Sequence, residues 1–308
     1  MKATANILTA AAFCTASLLA PASLHARDHN LNVSFTGSGE HCSDLKVTSG
    51  NGQVAQAAES FTLSRSEAPT LELRGLERGV LRVRGQDRAD YAVEVCKVAA
   101  AGDRASAEQL VRAISVSRSA GRIAYSGPSD GDSDWQVYFI VHAPRNGNLD
   151  AETKNGPIDI ADMNGGTLKV RATNGPVSLR NCSANMDVET QNGPVSFSGG
   201  GGDVRIAAHN GPVAVELSGD VWNGPRLDAS TVNGPVSLVV PDTFRSGVRL
   251  ETSGYAPVAC ASGACKGAWS DTSSGKHVMQ LNGSHDTVRL STTNGPVVIH
   301  APKGPKII

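Results

Sequence analysis

The stretch "TNGPVSLRNCSANMDVETQNGPVSFSGGGGDVRIAAHNGPVAV", residues 173–215, contains the triplet Asn-Gly-Pro three times at regular steps. Each triplet follows a run in which apolar residues alternate with mostly polar ones, as in Leu168, Val170 and Ala172 before Asn174. A second short run with the same alternation comes after the triplet, for example "VSL" at 177–179. Period-2 alternation is typical of half-buried β-strands, so the unit is predicted to be strand, corner, strand.

The same unit recurs along the C-terminal half of the chain, at steps of about 20 residues, which is typical of a solenoid. A degenerate copy begins at Val248, and Asn223-Gly224-Pro225 is out of phase, which indicates a loop insertion. The regular copies begin at Leu149, Leu168, Met186, Val204, Leu227 and Val288, and their corner asparagines are Asn155, Asn174, Asn192, Asn210, Asn233 and Asn294.

A two-residue hairpin is the alternative, since Asn-Gly between alternating strands is a strong hairpin signal. Proline argues against it. In a hairpin, Pro176 would stand where a backbone N–H closes the turn, and proline has no N–H. A corner in a coiled parallel ladder tolerates proline better, so we expect the six asparagines to stack as a ladder on the inward side. Their amides would then hydrogen-bond to one another and to corner backbone groups in a dry interior.

The N-terminus predicts a secretory signal peptide over residues 1–26, with Lys2, an apolar stretch at 7–19 and small residues up to Ala22 or Ala26 as alternative cleavage sites. Beyond it, no apolar run approaches the about 20 residues that a membrane helix needs. We therefore expect a periplasmic or secreted protein. Residues 27–147 are predicted to be an irregular β region and cap with one short helix at 106–113, and residues 148–308 the Asn-Gly-Pro solenoid.

An oxidising compartment permits disulfides. The short spacing of Cys260 and Cys265 makes them the easiest pair, and Cys42 with Cys96 would tie the N-terminal region, although spacing does not prove connectivity. Cys182 is then left over, and we interpret it as a small buried residue, because no catalytic base is recognisable near it.

Composition makes nucleic acid an improbable partner class. The formal net charge is −1 and aromatic residues make up 4% of the chain, so the sequence offers neither a basic stripe nor a stacking surface.

Few residues suggest chemistry, and no cofactor is predicted. Asp130, Asp132 and Asp134 alternate as in Ca²⁺ loops, but the Gly and distal Glu of an EF-hand are missing, which favours a solvated acidic turn. The "GGGGDVRI" stretch at 199–206 resembles one calcium-binding nonapeptide, but such sites need consecutive copies to share an ion. We therefore expect a flexible return loop there. The histidines considered show no zinc-ligand spacing; they are His209, His277, His285 and His300.

The stretch "VYFIVHAPRNGNLDAETKNGPIDIADMNGGTLKVRATNGPVSL", residues 137–179, resembles the bacterial putative-adhesin family of exported β-strand-repeat proteins, a domain family of unknown function. The resemblance extends over residues 60–300. It implies an all-β fold, a right-handed single-stranded parallel β-helix, and adhesion without any assigned catalytic residue. The chain departs from the family pattern by placing Pro after nearly every Asn-Gly and by an insertion around Cys260.

Two functions are open. The first is a non-enzymatic exported β-solenoid, an adhesin-like scaffold whose surface contacts envelope proteins or glycans. The alternative is a carbohydrate-active β-helix, a polysaccharide lyase or hydrolase. It would use exposed carboxylates such as Asp159, Asp162, Asp187 and Glu189. We favour the scaffold, because these carboxylates alternate with Lys and Arg as on a solvated face, and Trp135, Trp222 and Trp269 lie outside the regular repeats.

Overall fold

The computed structural model describes residues 31–302, with gaps at 37–38, 78, 130–133, 254–255, 274 and 284. The predicted signal peptide lies outside these residues, as do Asp130 and Asp132. The described chain is all-β apart from one α-helix and two 3₁₀ turns, which confirms the all-β part of the predicted fold class. The helix α1 (Arg104–Ala113) also matches the prediction, and the Asp103 side chain caps it by accepting from the Ser106 N–H.

The strands follow one another closely along the chain. They are β1 (Leu31–Phe35), β2 (Leu45–Ser49), β3 (Gln53–Ser64), β4 (Leu71–Leu76), β5 (Gly79–Gln86), β6 (Asp90–Ala101), β7 (Ser115–Ser119), β8 (Arg122–Ser126), β9 (Asp134–Pro144), β10 (Leu149–Asn155), β11 (Ile158–Ala161), β12 (Asn164–Asn174), β13 (Val177–Arg180), β14 (Ser183–Asn192), β15 (Val195–Gly199), β16 (Gly201–Asn210), β17 (Val213–Leu217), β18 (Asn223–Asn233), β19 (Val236–Val239), β20 (Gly247–Ser253), β21 (Val258–Ala261), β22 (Trp269–Asp271), β23 (Lys276–Leu281), β24 (Asp286–Asn294) and β25 (Val297–His300). The 3₁₀ turns span Cys42–Asp44 and Gly263–Cys265.

Two long sheets hold nearly all of these strands. The front sheet has 12 strands in the order β22-β23-β20-β24-β18-β16-β14-β12-β10-β4-β8-β7. The back sheet has 11 strands in the order β21-β25-β19-β17-β15-β13-β11-β5-β9-β6-β3. A separate hairpin pairs β1 with β2.

From β10 to β19 the chain alternates between the two sheets, so that each front strand and the back strand after it make one coil of a stack. Neighbouring coils pair in parallel, as expected for a β-solenoid. The register matches the sequence repeat: Leu149, Leu168, Met186, Val204 and Leu227 lie side by side along the front sheet. Their side chains are almost fully buried and form a continuous core with the apolar residues of the back sheet.

The Asn-Gly-Pro triplet joins a front strand to a back strand, so the hairpin alternative does not apply. Hydrogen bonding between coils continues through the corner: the Gly175 N–H donates to the Asn192 carbonyl at 3.0 Å and the Val177 N–H donates to the Pro194 carbonyl at 2.9 Å. Pro176 stands between these two donors. The hydrogen bonds between coils need no N–H from residue 176. Proline at this position therefore leaves no buried group unpaired.

The coils at both ends of the stack do not follow chain order. The coil of β4 and β5 pairs in parallel with β10 and β11, although β8 and β9 intervene in sequence and lie on its other side. At the far end, β24 and β25 lie between β18–β19 and β20–β21. If the coils followed chain order, the degenerate copy at Val248 would pair with Leu227. In the structure, Val288 lies between them and pairs with both Leu227 and Val248.

The N-terminal hairpin packs against the outer side of the back sheet and forms a second, smaller core. Leu45 of the hairpin is buried there with Tyr138 and Ile140 of β9 and Val98 of β6. The disulfide Cys42–Cys96 links the hairpin to β6. This arrangement places polar side chains of the hairpin directly over the back sheet.

Candidate functional site

The outward-pointing side of the front sheet carries charges of alternating sign from one coil to the next, on side chains that range from buried (Asp150) to exposed (Lys169). Opposite charges on adjacent strands stabilise a sheet by about 0.2–1 kcal/mol per pair. The row consists of Asp150, Lys169, Asp187, Arg205, Asp228 and Arg289, each paired in register with the next. The face is therefore largely neutralised within the chain.

In a second row on this face, the side chains change from charged to small along the stack. It starts with Glu152, Arg171 and Glu189, where Arg171 Nε lies 3.7 Å from Glu189 Oε2. It continues with Ala207, followed in register by Ser230 and Ser291. These three side chains are small, and open space lies over them: Ala207 lines one cavity, and Ser230 and Ser291 line another. We call the two cavities together the front-sheet trough.

The two cavities of the trough meet at β18. One, of about 410 Å³, is lined by Arg171, Glu189, Gln191, Ala207 and His209 among others, and reaches Val232 on β18. The other, of about 520 Å³, begins at Asp228 and Ser230 on the same strand and extends over β24 to β20. Their walls offer hydroxyls, carboxylates, guanidinium groups and one imidazole. The trough can thus hydrogen-bond to an extended polar chain.

The back sheet has a smaller depression, of about 280 Å³, on its exposed side. It is lined by Arg180, Ser198, Ala214, Glu216 and Ser237 among others. It offers fewer charged groups than the front trough and lies on the opposite side of the stack. Substitutions on this surface can therefore serve as controls for substitutions in the trough.

The carboxylates considered for sugar chemistry do not converge. Asp187 and Glu189 lie on β14 of the front sheet, whereas Asp159 lies on β11 of the back sheet and Asp162 follows that strand. Asp159 accepts hydrogen bonds from Arg84 at 2.7 Å and from Arg180 at 2.9 Å.

Burial alone would raise the pKa of Asp159, but its hydrogen bonds and charge interactions with Arg84 and Arg180 outweigh burial and lower the pKa. The carboxyl group is thus held as the anion and has no proton to donate near neutral pH. Asp159 is bound into an ion-pair cluster that includes Arg82, whose Nε lies 3.3 Å from it.

The tryptophans do not form a sugar-stacking platform together. Trp135 and Trp222 are buried, with the Trp135 indole N–H donating to the Pro128 carbonyl and that of Trp222 to the Gly202 carbonyl. Trp269 is 56% exposed on β22, at the edge of the front sheet.

The corner asparagines form a chain of side-chain amides along one edge of the stack. Each amide nitrogen donates to the amide oxygen of the preceding coil: Asn174 to Asn155 (2.9 Å), Asn192 to Asn174 (3.0 Å), Asn210 to Asn192 (2.9 Å), Asn233 to Asn210 (2.9 Å) and Asn294 to Asn233 (2.8 Å). The Asn155 amide donates to the Glu77 carbonyl.

The prediction that this ladder lies in a dry interior is wrong. All six side chains are exposed, because each front strand ends at the asparagine and the core ends two residues earlier. The residue at that earlier position is buried and is a threonine or an alanine, as in Thr231, whose hydroxyl donates to the Gly211 carbonyl at 2.9 Å. The amides thus hydrogen-bond to one another along a solvent-exposed edge of the stack.

Most other residues singled out from the sequence have structural roles. The disulfides are Cys42–Cys96 and Cys260–Cys265. Cys182 is buried and unpaired, and burial raises the pKa of its thiol, which disfavours a reactive thiolate. The glycine-rich stretch is not a flexible loop, since it bends only at Gly200 and continues as β16.

A cluster of two histidines and a glutamate was missed at the sequence level. His41 lies between β1 and β2, Glu94 on β6 and His142 on β9. His41 Nδ1 lies 2.7 Å from Glu94 Oε1. One ligand atom from each residue lies within 4.8 Å of the other two. Within the described residues, the histidines at 209, 277, 285 and 300 belong to no such group.

The sheet register and the disulfide position this cluster. Glu94 pairs with Ile140 and Ala92 with His142 on antiparallel strands, so Glu94 and His142 are diagonal neighbours on the outer face of the back sheet. His41 precedes Cys42, and the bridged Cys96 lies two residues after Glu94 on the same face of β6. The bridge therefore holds His41 over the other two side chains.

The cluster combines a buried and an exposed imidazole. His142 is 7% exposed, with Nδ1 2.9 Å from Gln86 Nε2 and Nε2 3.1 Å from the Glu40 carbonyl oxygen. The side chain of His41 is 57% exposed, and the hydrogen bond to Glu94 raises its pKa. Burial would raise the pKa of Glu94, but hydrogen bonds from the Cys42 N–H and from His41 lower it.

Sequence inspection could not find these three residues because they come from segments about 50 residues apart, with no motif spacing. The available signal was weak. Glu94 and His142 are polar residues inside otherwise apolar runs, "YAVEVC" and "FIVHAP". Such a residue is expected on the less buried face of its strand, but the pattern does not say what faces it.

No helix in the described part of the chain combines the length and apolarity needed to cross a membrane. No family model matches the sequence, and no curated protein matches it either. Among solved structures, the chain is similar to a putative cell adhesion protein from Clostridium sporogenes, with 12% sequence identity and a TM-score of 0.34. The match covers 80% of this chain and 100% of the other. The resemblance to the adhesin-like family noted from the sequence stays a prediction.

Proposed function

We propose that the protein is a non-enzymatic, exported β-solenoid, right-handed as parallel crossovers almost always are, whose front-sheet trough binds an extended polar segment of an envelope protein or glycan. The observation that carries the proposal is the trough itself. Small side chains at Ala207, Ser230 and Ser291 leave space along several coils, between rows of residues that can donate and accept hydrogen bonds.

The stack suits this role mechanically. Parallel coils that share one core hold the trough residues at the strand spacing of about 4.8 Å, so a bound chain meets a rigid, repeating set of partners. Preorganised surfaces lose little conformational entropy on binding. A shallow surface of this kind fits a binding scaffold better than an enzyme that must exclude water from a reaction.

Export is supported by the two disulfides, because such bridges persist in oxidising compartments. The signal-like N-terminal sequence agrees with this. Both point to the periplasm or the cell exterior, where a surface for protein or glycan contact would be used.

The enzyme alternative would need two carboxylates facing one scissile bond, about 5 to 9.5 Å apart. Asp187 and Glu189 share the front face, but Glu189 lies beside Arg171. Asp159 is already neutralised by arginines of the back sheet. We therefore propose binding without turnover.

The experiment is a joint screen of purified protein for binding and for turnover. A glycan array and an array of envelope-protein peptides report binding, while reducing-sugar and unsaturated-product assays on bacterial and plant polysaccharides report cleavage. We expect retention of a polar polymer without product. Product formation that is lost in Glu189→Gln but kept in Glu216→Gln, a matched change on the back sheet, would establish the enzyme instead.

A further inference from the structure

We propose that His41, Glu94 and His142 bind a first-row transition-metal dication, of which Zn²⁺ fits the ligand set best. The site lies at the joint between the N-terminal hairpin and the back sheet. It is separate from the front-sheet trough and does not depend on the proposed binding function.

The ligand chemistry is the first support. Two imidazoles and one carboxylate are ligands that Zn²⁺ and its neighbours in the first row prefer, whereas Mg²⁺ and Ca²⁺ prefer oxygen-only sets. Three protein ligands leave a fourth position open to water. The exposure of His41 puts that position within reach of solvent.

The distances are the second support. Bonds of about 2.0–2.1 Å to a tetrahedral ion place two ligand atoms about 3.3 Å apart. The three ligand atoms lie within 4.8 Å of one another, and His41 Nδ1 lies 2.7 Å from Glu94 Oε1. Shifts of up to about 1.5 Å in the exposed His41 and the half-buried Glu94 would thus bring all three atoms to the separation that the ion requires.

The electrostatic surroundings favour a cation. The Glu94 carboxylate lies 2.7 Å from His41 Nδ1, and the Asp44 carboxylate accepts from the His41 backbone N–H at 3.3 Å. A metal ion between His41 and Glu94 would replace their direct hydrogen bond. The cost of moving a dication to the site is lowered by these negative charges.

Gln86 and the Glu40 carbonyl provide outer partners for the buried ligand. Each contacts one ring nitrogen of His142, so when an ion takes one nitrogen, the other keeps a polar neighbour. Metal-bound histidines nearly always have such a partner, which fixes the ring orientation. We assign Gln86 a positioning role on this basis.

The site is also preorganised by the fold. Two ligands stand on adjacent strands of one sheet, and the Cys42–Cys96 bridge tethers the third. The bound ion would add a second link between the hairpin and the sheet. Metal binding should therefore raise the thermal stability of the oxidised protein.

The test is calorimetric titration of untagged, metal-free full chain with ZnCl₂ at neutral pH, with MgCl₂ as the control ion. We expect one equivalent of Zn²⁺ to bind saturably and Mg²⁺ not to bind. His41→Ala and Glu94→Gln should each weaken Zn²⁺ binding by at least about 10-fold. His300→Ala, which removes an exposed histidine on β25 far from the cluster in sheet order, should bind like wild type.

Both test variants change side chains that are exposed or half-buried, and Glu94→Gln keeps an acceptor for the Cys42 N–H. Circular dichroism melts verify that they fold. Zn²⁺ should raise the melting temperature of wild type and of His300→Ala, but not that of His41→Ala. The proposal is overturned if wild type shows no saturable binding, or if Zn²⁺ binds the two test variants as tightly as wild type.

Discussion

Gly193 packs against the carbonyl oxygen of Gly175 in the neighbouring coil so closely that a β-carbon on Gly193 would lie 2.2 Å from that oxygen. Its φ of +150° is also one that residues with side chains rarely adopt. The same approach recurs from coil to coil, since Gly175 stands in the same relation to Gly156. The glycine of each triplet is thus required by the contact between coils.

Replacing Gly193 by alanine should destabilise the protein by at least about 2 kcal/mol, because backbone strain and the clash with a neighbouring coil act together. Denaturant melts measure the change. Gly102→Ala is the control, since nothing lies within 4 Å of its would-be β-carbon, and it should stay within about 0.5 kcal/mol of wild type. Equal stability of the two variants would show that the coils are not this close.

The amide ladder should contribute modestly, because it is exposed. Asn192 donates to Asn174 and accepts from Asn210, so Asn192→Leu should cost about 1–2 kcal/mol for two hydrogen bonds. Glu189→Gln, on the same strand, should cost less than about 0.5 kcal/mol. If Asn192→Leu melts like wild type, the ladder adds no stability and the repeated asparagine needs a functional explanation.

Acid should weaken the protein through Asp159. Its folded-state pKa is lowered, so its ion pairs stabilise the fold fully above the ordinary aspartate pKa of about 3.9. This stability is lost as pH falls through the lower folded-state pKa. Asp159→Asn should cost about 2 kcal/mol at neutral pH, and this difference should shrink in strong acid. A difference that is constant across the pH range contradicts the ion-pair origin.

The two disulfides should differ in their effect. Cys42 and Cys96 are separated by 54 residues and Cys260 and Cys265 by 5. Because the entropy lost by the unfolded chain grows with the closed loop, replacing the first pair by serine should cost about 2 kcal/mol more than replacing the second. Non-reducing peptide mapping checks both pairings beforehand, and free thiols at 260 and 265 in exported protein would refute the short bridge.

The local structure of this fold could be predicted from the sequence. Alternation predicted the strands, and Pro176 excluded a hairpin, because both effects act within a few residues. The order of coils could not be predicted, since Val288 and Val248 have similar patterns and either could follow Leu227. The exposure of Asn192 was also missed, because parity along a strand does not show where the chain leaves the core. The contact of His41 with Glu94 depends on how a distant hairpin packs, which no local pattern contains.

The binding trough is tested most directly by filling it. Ala207→Arg places a large side chain in the trough on β16, and Ala214→Arg makes the same change on β17 of the back sheet, where the residue is exposed. Both variants are measured on the arrays against the polymers that wild type retains. We predict that Ala207→Arg loses retention by at least about 10-fold, or 1.4 kcal/mol, while Ala214→Arg binds like wild type. Equal retention by both variants, or no polymer retained by wild type, would contradict a binding role for the front-sheet trough.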